Sequence, residues 1–67
     1  MYSLKKSITI ACVKKGIEKK ELPDRLGVTR QAVYKWEKKN QMPMPNAAYL
    51  ARITGFTLSE FIALGED

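Results

Sequence analysis

Histidine is absent from these 67 residues, and cysteine occurs once, at Cys12. A lone thiol cannot close an internal disulfide, and without histidine the common zinc sets cannot be assembled, so metal and haem readings find no ligands. Long apolar runs are missing as well. Only Ile8 to Val13 runs with few polar breaks, and although Lys5 and Lys6 precede it, it falls short of the roughly 7–15 apolar residues of an export signal. Nothing approaches the ~20 residues of a membrane span, so a cytoplasmic protein with no membrane partner is expected. Enzyme readings lack material too: no histidine base, paired-carboxylate pocket or phosphate loop is visible. No cofactor and no small-molecule ligand is called for.

What is present is positive charge, placed unevenly. The formal net charge is +5. Residues 1–39 hold eleven Lys and Arg against four Asp and Glu, whereas residues 40–67 hold one against three. Such asymmetry points to nucleic acid or an anionic surface as the partner. A membrane-surface role for the basic N-terminal helix would need an exposed apolar face, which the other helices should cover. The length suits one domain over residues 1–67, close to the lower limit at which an apolar core holds a fold without staples.

Helical periodicity dominates. Leu4, Ile8, Ala11 and Cys12 recur on one face, predicting a first helix from a Ser3 cap to about Lys15, with Gly16 as its stop. A second helix is expected from about Lys19 to Leu26, ending at Gly27, and a third from a Thr29 cap to about Lys39. Two prolines in NQMPMPN read as an irregular connection. Asn46 then reads as the cap of a fourth helix from about Ala47 to Thr54, with Pro45 in its first turn as the other reading. Thr57 and Glu60 form a capping box for a fifth helix, with Phe56 and Phe61 as a hydrophobic staple.

The stretch IEKKELPDRLGVTRQAVYKWE, residues 17–37, is the most informative. At about 100° per residue, Arg30, Gln31, Tyr34, Lys35 and Lys38 share one side of the third helix, while Ala32, Val33 and Trp36 share the other. One side is core. The other is cationic or amide-bearing throughout, which suits a polyanion whose base edges accept hydrogen bonds. Trp36, on the apolar side, reads as core rather than as a stacking platform for single strands.

LGVTRQAVYKWE resembles the helix-turn-helix of the Cro and phage-repressor family, also called the xenobiotic-response-element type. The similarity extends over roughly residues 8–62, through the turn glycine, the Thr cap, the Trp-Glu pair, the proline after the third helix and the G-F-T-L-S-E-F ending. The resemblance implies an all-α, compact five-helix bundle, a lambda-repressor-like DNA-binding domain, that binds operator DNA and works as a homodimer. Carried over position by position, it implies base reading by Arg30, Gln31, Tyr34 and Lys35 and a phosphate contact at Lys19. Lys20, Thr29, Lys38, Lys39 and Asn40 complete the candidate phosphate set. The fifth helix has more apolar surface than one core contact uses, so Phe61, Ile62 and Leu64 are the candidate dimer interface.

Two positions depart from the family pattern. Pro23 stands where the family commonly has Ala, so the second helix should kink or start late. The family's buried Glu, here Glu37, often pairs with an Arg in the first helix, but the matching position here is Cys12. Glu37 is left to Lys15, Lys38 or water. The leading expectation is therefore a dimeric, operator-binding transcription regulator. The alternative is an antitoxin or protein-interaction module that uses the same fold mainly to sequester a protein.

Overall fold

Ser3 opens the first helix: its backbone is extended and its hydroxyl accepts the Lys6 amide at 3.3 Å, satisfying one of the donors left unpaired at every helix start. From there the computed structural model, which describes residues 2–66, passes through α1 (Leu4–Lys15), α2 (Leu22–Leu26), α3 (Arg30–Lys39), α4 (Met44–Ile53) and α5 (Leu58–Leu64). No strand occurs among the described residues. The all-α, five-helix architecture is the one the sequence predicts.

Proline decides where two helices start, in each case by one of the two readings the sequence leaves open. Residues Lys19–Glu21 form a 3₁₀ turn, and α2 proper begins only at Leu22, with Pro23 in its first turn. There the missing proline N–H has no intrahelical partner to lose. The helix therefore starts late instead of kinking. For the same reason α4 begins at Met44, three residues before the expected start, with Pro43 as its cap and Pro45 in the first turn. The Asn46 amide donates to the Pro43 carbonyl at 3.0 Å, so Asn46 lies inside the helix and is not its cap.

The core joins Leu4, Ile8, Ala11 and Cys12 of α1, Leu22 of α2, Leu50 and Ala51 of α4 and Phe61 of α5. Burial of Thr54 costs little, because its hydroxyl donates to the Leu50 carbonyl at 2.7 Å. The capping box of α5 forms as expected: the Thr57 amide donates to Glu60 Oε1 at 2.8 Å and the Glu60 amide to Thr57 Oγ1 at 3.1 Å. That cap aims α5 across α1 and α4, its main neighbours. At its far end the Gly65 carbonyl accepts the Ser3 amide at 2.9 Å. A Cβ at Gly65 would run into the Ser3 carbonyl and the Ser7 hydroxyl, so glycine there permits close approach of α5 to α1.

This packing corrects two of the three candidate interface residues. Phe61 is 0% exposed and lies within the core, and Leu64 is half-buried against it. Only Ile62, 40% exposed, offers apolar surface outward. The broad apolar arc of α5 is used up by packing on two helices at once. Phe61→Ala should therefore cost about 3–5 kcal/mol, enough to leave a domain of this size largely unfolded. Ile62→Ala should cost under about 1 kcal/mol. Urea denaturation followed by circular dichroism distinguishes the two, and equal midpoints would show that Phe61 is no core residue.

Candidate nucleic-acid interface

The α2–α3 turn depends on a backbone conformation that few residues adopt cheaply. Gly27 has φ 69° and ψ 33°, the left-handed region, which costs glycine nothing. The Val28 amide closes the turn on the Pro23 carbonyl at 2.9 Å. Thr29 then caps α3, its Oγ1 accepting the Ala32 amide at 3.1 Å. The hydroxyl proton is still free to donate, so Thr29 can cap the helix and meet an acceptor outside it.

Within α3, Val33 is buried and Ala32 and Trp36 are half-buried, Trp36 against the core. Arg30, Gln31, Tyr34, Lys35, Lys38 and Lys39 are all exposed. The helix is thus rotated as its pattern predicts, and the structure gathers the four candidate base-reading side chains on its outer side. Lys38 Nζ stands 6.0 Å from the centroid of the Tyr34 ring, at the outer limit of a cation–π contact. A groove beside this face is lined by Lys19, Lys20, Pro23, Arg30, Val33, Tyr34 and Glu37, so it spans the start of α2 and the flank of α3.

The charged partners sort the candidate phosphate contacts. Lys20 pairs with Glu18 at 3.1 Å, both widely exposed, a contact of small worth that a stronger anion can displace. Lys19 is half-buried and pairs with Glu37. The expected partners of Glu37, Lys15 and Lys38, are thereby replaced by a cation from the turn before α2. Beneath this pair lies Cys12; burial pushes its thiol pKa up, Glu37 adds to the rise, and Lys19 and Arg25 only partly offset it. A thiol so held stays protonated and unreactive near neutral pH.

Asn40, a candidate phosphate contact that is exposed at the end of α3, also has a structural task. It closes α3 in the left-handed region at φ 59°, its Oδ1 accepts the Leu4 amide at 2.6 Å, and its Nδ2 donates to the Tyr2 carbonyl at 2.9 Å. Its amide group ties the end of α3 to the start of α1, with one Nδ2 hydrogen left over. Sequence reasoning also missed Lys5, which lines a hollow with Tyr34, Glu37 and Lys38. Only the packing of α1 against α3 brings that cation to the face; the basic N-terminal pair was the one signal available. Among the described residues no group of three His, Cys, Asp or Glu could hold a metal ion. None of the described helices is long and apolar enough to cross a membrane.

A short helix, a tight left-handed turn and a second helix with an outward donor face define a helix-turn-helix protein. The chain belongs to the bacteriophage CI repressor helix-turn-helix domain family, whose model matches residues 6–67. No curated protein and no solved structure is similar enough to count as a match. The fold is accordingly that of a phage-repressor DNA-binding domain, and the family is one of transcription regulators that bind double-stranded DNA.

The new role of Asn40 has a measurable consequence. Asn40→Gly keeps the left-handed conformation but removes both tertiary hydrogen bonds, so it should destabilise the fold by about 1–3 kcal/mol. With the tie to α1 as the main task of Asn40, the salt dependence of DNA binding should stay at the parental value. A flattened slope in a gel-shift salt titration would restore Asn40 to the phosphate set.

Proposed function

We propose that this protein regulates transcription by occupying a two-fold symmetric operator as a homodimer, inserting α3 into the major groove. The carrying observation is the outer side of α3: Arg30, Gln31, Tyr34 and Lys35 are exposed together, and the only carboxylate on the helix, Glu37, is held by Lys19. Donors without neighbouring free carboxylates suit the acceptor-rich edges of guanine and adenine. Arg30 fits the paired acceptors of guanine, and Gln31 fits adenine. Thr29, Lys38, Lys39, Lys20 and Lys19 surround them as phosphate contacts that set register without reading sequence. Lys5 joins that set from α1. The site of action on this reading is cytoplasmic DNA, and because dimerisation and DNA binding are linked by mass action, operator occupancy would rise with the concentration of the protein.

A single short recognition helix touches few base pairs, so discrimination over the rest of a genome calls for two linked copies, with half-sites about one helical turn apart. With Phe61 and Leu64 committed to the core, the surface that joins them lies among the exposed apolar residues. Ile62 and Met44, 40% and 64% exposed, border an apolar hollow with Tyr2, Met42 and Leu58. The same hollow is what favours the antitoxin or protein-interaction reading, in which a foreign protein would fill it and the α3 face would be dispensable.

Selection of bound duplexes from a random pool tests the reading. A two-fold symmetric site should be recovered, and Gln31→Ala should relax preference at one base pair per half-site by about 1–3 kcal/mol. Recovery of unrelated sequences at background level, with Arg30→Ala and Gln31→Ala fully active in vivo, would favour the protein-interaction reading instead.

A further inference from the structure

We infer that Glu37 is a positioning residue for DNA binding: it holds the Lys19 ammonium beside the recognition helix so that α2 and α3 grip the duplex as one unit. The inference rests on the DNA-binding reading and adds to it a residue that touches no DNA. The Glu37 side chain is 12% exposed and that of Lys19 35%, so the carboxylate lies below the surface and the ammonium at its rim. Lys19 comes from the 3₁₀ turn before α2, whereas Glu37 belongs to α3. Their ion pair bridges the two halves of the helix-turn-helix across the groove that Arg30 and Tyr34 also line.

Two properties of lysine make this arrangement useful. A free lysine side chain gives up considerable rotamer freedom when it grips an anion, and Lys19 has already given it up. The ammonium also carries three donors. Glu37 lies against one side of it as an ion-pair partner, and the side toward solvent is left for a phosphate oxygen. Lys20 lies next to Lys19 and offers the contrast, since its partner Glu18 is itself widely exposed and fixes nothing.

The sign of one substitution separates positioning from bulk charge. Glu37→Gln removes a negative charge near DNA, so charge alone would tighten binding to every duplex. Positioning has the opposite consequence for the selected site. Fluorescence anisotropy with the full chain, on the duplex recovered by selection and on a scrambled duplex, reads both. For Glu37→Gln, affinity for the selected duplex should fall roughly ten-fold while affinity for the scrambled one is unchanged or higher. Its salt slope on the selected duplex should flatten by about one unit, matching Lys19→Gln. The double variant should be no weaker than Lys19→Gln alone. Glu37→Asp keeps the charge but withdraws the carboxylate by one methylene, and it should show the same loss at the selected site, with the thermal midpoint recorded alongside to confirm that it is folded. Tighter binding of the selected duplex by Glu37→Gln, parental behaviour of a folded Glu37→Asp, or additive losses in the double variant would each overturn the inference alone. A parent chain that bound neither duplex would overturn the DNA reading and this inference with it.

Discussion

Burial of Val33 and Trp36 is the constraint on which the rest depends. α3 has only ten residues, and one buried valine with one half-buried tryptophan sets its rotation about its own axis. A helix turned by one residue, about 100°, would bring charged side chains into the core and is excluded by the cost of burying them unpaired. Because that rotation is fixed, Arg30, Gln31, Tyr34 and Lys35 have no choice but to face outward. The outward donor face is thus a consequence of core packing, transmitted through a rigid helix.

Two devices hold the helix once its rotation is set. At its start, Gly27 and the Thr29 cap direct the chain from α2 into α3. At its end, the Asn40 side chain satisfies backbone groups at the start of α1, the Leu4 amide among them, which would otherwise lack an intrahelical partner. α1 is tied in turn to the end of α5 through Ser3 and Gly65. A small core is thereby supplemented by polar ties at the points where helices begin and end, which is where a 67-residue chain has the most unpaired backbone to satisfy.

Local signals were legible in the sequence, and long-range partners were not. The Ser3 and Thr29 caps, the Gly27 turn, the Thr57–Glu60 box and the two-sided α3 each follow from residues within four positions of one another, where helix geometry leaves little freedom. Proline leaves the starts of α2 and α4 open in the sequence, because it breaks a helix in its interior yet fits its first turn, and the letter P does not say which position it occupies. Phe61 looked surplus on α5 because a helical wheel counts one partner, while α5 packs on both α1 and α4. The Lys19–Glu37 pair, the Asn40 tie and the place of Lys5 link residues whose spacing in sequence carries no periodic signal. These polar links required the fold itself.

The central claim is that the outward side of α3 meets base edges in the major groove. Dimethyl sulfate probes this directly, since it methylates guanine N7 in the major groove and adenine N3 in the minor groove. On a duplex bound by the protein, guanine N7 should be protected in two patches about one helical turn apart, with adenine N3 between them as reactive as in free DNA. Full reactivity of every guanine N7 under saturating protein, or protection confined to adenine N3, would contradict the account.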